Sequence, residues 1–300
     1  VDGIVIDAPG PLRCWPDNLL PQGVPLLPKS LSASAIATFA GCEARYKAEY
    51  IDRVPDIDGD AALLGTTCHS ALEDFVSSGE AQAGAPLKVL EDHFTRHYWT
   101  NFSTDDRLAE GLGLMKRWHK RQDWTDIMVI STEVKECILI PTSAGDIPFN
   151  FIIDRMDLNE RLGDVIVVDY KSNWVPMTHD DLRSSPQPQF YGLVTRFKFP
   201  DVERIWVKFD FLRHEPIGIL VTKEDNRIAW EYLKGVAERI IESDGTKETI
   251  NKDCVWCVRA HTCKSMQENI AGGGVMAVAS DIPAAAKRHH ELTIAVKMVK

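Results

Sequence analysis

Phe151-Ile152-Ile153-Asp154-Arg155 and Val165-Ile166-Val167-Val168-Asp169-Tyr170-Lys171-Ser172 are two aliphatic runs that both end on charge. Unbroken β-branched residues favour buried strands, here Phe149 to Leu158 and Val165 to Tyr170. The polar, glycine-containing link Asn159-Glu160-Arg161-Leu162-Gly163-Asp164 suits a hairpin between them. Alternation along a strand puts Asp169 and Lys171 on one face, and the partner strand can bring Asp154 beside them. Two carboxylates and an ammonium then share one pocket. Carboxylate oxygens are the hard ligands Mg²⁺ or Mn²⁺ prefers, and such an ion lowers the pKa of a bound water and neutralises a phosphodiester oxygen. Lys171 would position that water or stabilise developing phosphorane charge. Asp-x-Lys alone fits an ordinary surface hairpin better than a site. Its place at the end of a four-residue aliphatic run, in a strand that should be buried, shifts the balance.

Outward from this hairpin, β character begins near Asp126 (Ile127, Val129, Val134, Ile138, Ile140). A helix is predicted after Pro188 through Phe190, Tyr191, Val194 and Phe197, then a strand from Arg204 to Leu212. The β-β-α-β order predicts an α/β protein with a mixed central sheet flanked by helices. Upstream, Ser32 or Ser34 can cap a helix carrying Ile36, Phe39, Ala40, Tyr46 and Tyr50, ended by Pro55. A second helix runs through Leu63, Leu64, Cys68, Leu72, Phe75 and Val76, and two more lie near 87–100 and 105–122. Downstream, Glu224 to Ile241 is helical. Six prolines in residues 1–30 predict an extended arm. The domain proper spans 31–270, and 271–300 reads as a weakly patterned tail. There is no internal repeat.

The 300 residues allow one large domain or two small ones. The 34 Lys and Arg against 44 Asp and Glu give a net charge of −10, which argues against non-specific duplex binding through clustered cations. Nucleic-acid contacts would be local or made through bound metal. No run approaches the roughly 18 apolar residues of a membrane span, and no secretory signal pattern opens the sequence, so no membrane association is expected. Seven cysteines, an odd number at irregular spacing, point to a reducing, cytoplasmic compartment.

Three of them form Cys254-x2-Cys257-x5-Cys263, and Cys42 can supply a fourth thiolate from across the chain. Zinc sites usually pair two short knuckles, so three clustered cysteines plus a distant one fit a cubane iron-sulfur cluster better. Zinc stays open as the alternative, with His261 able to replace a cysteine. Such a site would tie residue 42 to residue 263 and be structural. Cys14, Cys68 and Cys137 read as scattered buried thiols. For DNA contact, Lys116, Arg117, Lys120 and Arg121 form the densest basic run, around Trp118. Trp174, just past Lys171, is placed to stack on a nucleotide. Tyr98, Trp99 and Phe102 read as core. Asp157 should face away from Asp154, as a solvated carboxylate or an arginine partner, and is a minor metal-site candidate.

Taken together, residues 31 to 265 resemble the PD-(D/E)xK nucleases, whose core is restriction-endonuclease-like. Within them the chain resembles the RecB-like branch of CRISPR-associated and eukaryotic iron-sulfur exonucleases and the AddB subunit. Ile153-Asp154-Arg155 looks like the first acidic motif, Asp169-Tyr170-Lys171-Ser172 the Asp-x-Lys motif, Gly65-Thr66-Thr67-Cys68-His69 the upstream Gly-x-x-x-His, and Gln187-Pro188-Gln189-Phe190-Tyr191 the downstream Gln-x-x-x-Tyr. The resemblance implies that His69, Asp154, Asp169 and the Tyr170 carbonyl ligate Mg²⁺ or Mn²⁺, that Lys171 acts on the water, and that Gln187 and Tyr191 support the site or touch DNA. Pro188 suggests that Gln187 precedes the helix, which makes Gln189 a rival. The resemblance also implies a 4Fe-4S cluster on Cys42, Cys254, Cys257 and Cys263. It further implies exonuclease action on single-stranded DNA ends, 5′ to 3′, in repair or recombination, alongside a helicase or recombination partner. The competing reading is an inactive DNA-end-binding or scaffold module of the same fold.

Overall fold

The computed structural model describes residues 26–55 and 59–271. Most of the proline-rich arm (1–25), Cys14 and the tail beyond Ala271 lie outside the described residues. The described chain divides into two compact units. One comprises 60–138 and 151–230, the other the remainder.

The first unit is built on a five-stranded sheet in the order β1-β2-β3-β4-β5, with β1 Ile127–Ile140, β2 Ile147–Asn159, β3 Asp164–Lys171, β4 Ile205–Phe211 and β5 Ile217–Val221. The β2-β3 hairpin turns through Gly163 at φ 71°, a left-handed conformation that a residue without Cβ adopts freely. Its register, Arg155 opposite Val168 and Asn159 opposite Asp164, sets Asp154 beside Asp169. β3 and β4 are parallel and β4 and β5 antiparallel. A parallel pair needs a crossover. It is supplied by α6 (His179–Ser184) and α7 (Pro186–Lys198). The sheet is therefore mixed and helix-flanked, as the strand order implied. β5 was not anticipated: Ile217-Gly218-Ile219-Leu220-Val221 is a short run that sequence alone does not separate from a loop.

On one sheet face lie α3 (Asp60–Ser77), α4 (Leu87–Asn101) and α5 (Leu108–Arg121). Their apolar stripes, Leu64, Leu72 and Phe75, then Leu90, Phe94 and Tyr98, then Leu114, Met115 and Trp118, enclose Val168 and Tyr170 of β3. Tyr98 stacks on Phe102 at 4.5 Å in this core, while Trp99 is exposed. Cys68 is buried, which pushes its thiol up to about 12. α7 packs on β4 across the opposite face, toward which Asp169 and Lys171 point. It begins at Pro186, earlier than predicted, because the first-turn N–H groups need no intrahelical acceptor and both Pro186 and Pro188 fit there.

At the α4-α5 contact a Cβ on Gly111 would come within 1.9 Å of the Phe94 ring. Gly111→Ala is expected to lower stability by about 1–3 kcal/mol, the usual range for overpacking a core. A denaturation midpoint unchanged from wild type would show that the ring yields freely.

In the second unit the predicted first helix is broken. α1 (Ala33–Gly41) is capped by Ser32, whose Oγ accepts from Ala35 N at 3.2 Å. Cys42 is then extended (φ −163°, ψ 114°), and α2 (Glu43–Tyr46) continues into a π turn, Lys47–Ile51. Tertiary bonds overrule the periodicity at this point. Asn251 Nδ2 donates to the Gly41 carbonyl at 2.9 Å, and Ala44 N to the Lys247 carbonyl at 3.1 Å. Helix α8 (Lys223–Glu242) leads to two 3-10 turns, Lys252–Trp256 and Ala260–Thr262, and then to α9 (Lys264–Ala271). Among the described residues no helix is long and apolar enough to cross a membrane.

Candidate active site

The C-terminal end of β3 carries the site. Asp169 is 4% exposed, and its Oδ1 accepts from Tyr191 OH at 2.8 Å and from Gln187 Nε2 at 3.3 Å. Gln187 Nε2 also reaches Tyr191 OH at 2.9 Å, and Gln187 Oε1 accepts from Lys171 Nζ at 3.3 Å. The Lys171 ammonium lies 2.6 Å from Asp169 Oδ2 and 4.8 Å above the Phe209 ring of β4. Gln187 and Tyr191, one turn apart on α7, thus brace the Asp-x-Lys pair. Gln187 stands inside the first helical turn, not before it, and reaches Asp169, whereas Gln189 Nε2 donates to the Arg183 carbonyl at 3.2 Å.

Across the hairpin, Asp154 Oδ2 accepts from Tyr170 N at 2.7 Å and lies 3.4 Å from His69 Nδ1. The His69 ring meets Tyr170 edge-on at 5.8 Å. Four residues earlier on α3, a Cβ at Gly65 would come within 2.7 Å of Ser172 Oγ, so the bare backbone there lets the helix approach the end of β3. Burial, with the nearby Asp154 charge, holds the Asp169 carboxyl above its usual range despite the Lys171 ammonium. Burial works against charge on His69, but the hydrogen bond and charge of Asp154 outweigh it and keep the imidazole above its ordinary value. Burial likewise raises the Tyr191 phenol. The pocket is a crowded anionic site held by one ammonium.

Residues 30–264 match the PD-(D/E)XK nuclease superfamily. The chain belongs to this superfamily. Among solved structures, it resembles a candidate exonuclease of Eubacterium rectale at 15% identity and a TM-score of 0.47, over 80% of this chain and 88% of that one. It also resembles the protein SSO0001 at 10% identity and a TM-score of 0.38, over 79% and 86%. These are distant likenesses from which no activity is taken. No curated protein matches the chain.

PD-(D/E)XK nucleases usually use divalent cations such as Mg²⁺. In this member no three His, Cys, Asp or Glu side chains among the described residues meet closely enough, as they stand, to hold one ion. The chemistry of the donors nevertheless suits a hard cation: Asp154, beside His69, and Asp169 supply two carboxylates at the same strand end, and Asp169 is only partly compensated by Lys171.

Other candidates separate into structural and exposed groups. Trp118 is fully buried, and its Nε1 donates to Asp210 at 3.0 Å. Arg121 donates to Asp210, to the Phe211 carbonyl at 2.6 Å and to the His214 carbonyl at 2.7 Å, so its charge is committed to the fold. Arg117 bonds the Arg213 carbonyl at 2.9 Å, while Lys116 and Lys120 are exposed. Asp157 does face away from Asp154. It is only 2% exposed and pairs with Arg155 at 3.0 Å, so it is an arginine partner, neither solvated nor in the metal site. This buried charge network beneath the sheet was missed. Its signal was available: Arg155-x-Asp157 and Lys208-x-Asp210 each place two charges on one face inside an apolar strand.

In the second unit Cys42, Cys254, Cys257 and Cys263 line one small pocket, with Arg45, Glu248 and Arg259 at its wall. Thr249 N donates to Cys42 Sγ at 3.5 Å and Asn251 N to Cys254 Sγ at 3.3 Å. Burial raises the Cys257 and Cys263 thiols.

Proposed function

We propose that the chain is a metal-dependent DNA exonuclease acting 5′ to 3′ on single-stranded ends, in the RecB-like iron-sulfur branch of its superfamily. The observation that carries the nuclease part of this reading is the Asp169-Lys171-Gln187-Tyr191 ring facing Asp154 and His69 at a buried strand end, while exonuclease action, strand preference and polarity rest on the resemblance. His69, Asp154, Asp169 and the Tyr170 carbonyl would hold Mg²⁺ or Mn²⁺. The bound cation supplies a water of lowered pKa and neutralises phosphate charge. Lys171, fixed between Gln187 and Asp169, orients the attacking water in line with the scissile P–O bond and offsets charge building on the phosphorane. Gln187 and Tyr191 keep the Asp169 carboxylate from turning away.

We read the cysteine pocket as a 4Fe-4S site rather than a zinc site because one distant and three clustered cysteines line it, and in a cubane each thiolate binds its own iron. The described cysteines are all free thiols, in keeping with a reducing cytoplasmic compartment.

The test is degradation of 5′-labelled and 3′-labelled single-stranded DNA by anaerobically purified protein with Mg²⁺ or Mn²⁺, against a chelator control. Early release of the 5′ label is expected, and a brown protein absorbing broadly near about 400 nm should accompany it. Both DNAs left whole by brown, DNA-binding protein would establish the end-binding module instead. Colourless protein containing zinc would overturn the cluster.

A further inference from the structure

We infer that Trp174, seated on Arg213, is a stacking subsite for one unpaired nucleobase beside the scissile phosphate; this deepens the nuclease reading and rests on it. Trp174 is 51% exposed, yet it is not a loose surface residue. The Arg213 guanidinium lies 3.6 Å from the centre of its ring. That guanidinium is itself fixed: Nε donates to the Ser172 carbonyl at 2.9 Å and Nη2 to Glu110 at 2.5 Å, and the side chain is nearly buried. Glu110 is also paired with Arg107 at 2.8 Å. Burial alone would raise Glu110, but the two arginines hold it below its ordinary value.

The backbone on both sides is tied as well. Arg117 bonds the Arg213 carbonyl, Arg121 the His214 carbonyl, and the His214 ring lies 2.9 Å from the Trp174 carbonyl. Arg213 is thereby committed to a carboxylate and a carbonyl, which makes it a support for the indole rather than a grip for phosphate. The result is a rigid, half-exposed aromatic face backed by a cation, the geometry that stacks a base without regard to its identity.

Its position sets what it reads. Trp174 follows Lys171 by three residues, so their backbones lie no more than about 11 Å apart and the ring stands within a few nucleotides of the site. A base within that distance of the cut must be unstacked from its neighbours to reach the ring. Paired bases in a duplex do not offer that face. On this inference Trp174 favours single strands, and Arg213 is its positioning residue.

The experiment measures binding by the full chain in an Asp169→Asn background, using a fluorescein-labelled thymidine oligonucleotide and a series bearing one abasic site at each successive position from the end. Trp174→Ala is expected to weaken binding of the intact oligonucleotide about tenfold, from the worth of one stacked base. That loss should vanish at a single abasic position and be absent for duplex DNA. Trp174→Phe should keep most of the affinity, while Arg213→Met should reproduce part of the loss with the same abasic position. A loss that persists on every abasic oligonucleotide, or no loss at all, overturns the subsite. If the wild type cuts nothing but the position-specific difference remains, the subsite stands and the nuclease reading falls. If the wild type cuts but the position-specific difference is absent, the nuclease reading stands and the subsite falls.

Discussion

Lys171→Ala yields a folded protein whose DNA cleavage falls by about 10²–10³-fold, the usual cost of removing one preorganised group that stabilises transition-state charge. The expectation follows from what the ammonium touches. Among the described residues it is the only side-chain cation within ion-pairing distance of Asp169, at 2.6 Å, and it is anchored by Gln187 at 3.3 Å and by the Phe209 ring. Its removal takes away the charge that lowers the Asp169 carboxyl, so burial and Asp154 push that carboxyl further up. The variant then loses the water-orienting group and weakens a candidate cation ligand together. Lys171→Arg should not rescue, since a planar fork cannot occupy the same point between a carboxylate and an amide. The measurement is initial rate on end-labelled single strands at saturating Mn²⁺, with the thermal midpoint as the control for folding. A rate within a few-fold of wild type at an unchanged midpoint would remove Lys171 from the chemistry. Gln187→Ala, which leaves both charges in place, should cost less.

Much of this site was legible because it lies on regular structure. A strand has a fixed period, so Asp169 and Lys171 had to share a face, and a glycine hairpin had to return Asp154 to them. Gln187 and Tyr191 were paired by the resemblance alone, since the prolines had set Gln187 before the helix. The misses come where long-range contacts overrule local rules. Cys42 leaves the helix because Lys247 and Asn251, some 200 residues away, take the neighbouring backbone groups. Two prolines suggested a delayed start for α7, yet an unbonded first turn accommodates both. Arg121 looked like a DNA-facing cation until Asp210, distant in sequence, claimed it. A run of like charges carries no record of which members are spoken for.

Arg155→Ala is expected to destabilise the first unit by about 3–5 kcal/mol, the range for stripping one partner from a buried ion pair. Arg155 is 3% exposed, donates to Asp157 at 3.0 Å and to Tyr170 OH at 2.9 Å, and packs its guanidinium 4.9 Å from the Trp124 ring centre. Burial already holds the Asp157 carboxyl above its usual range even with this partner. Without the arginine, Asp157 must become neutral or stay charged and unpaired, and Tyr170 loses the donor to its hydroxyl. The consequence reaches the site, because Tyr170 N donates to Asp154 and its ring abuts His69. Chemical denaturation should show the lower midpoint. The double change Arg155→Met with Asp157→Leu should recover most of it, since an apolar pair leaves no charge to compensate. Recovery of stability without recovery of cleavage would mean that the network also sets the position of Asp154. Recovery of both would confine it to the fold, and an additive double loss would show that the two charges do not act as a pair.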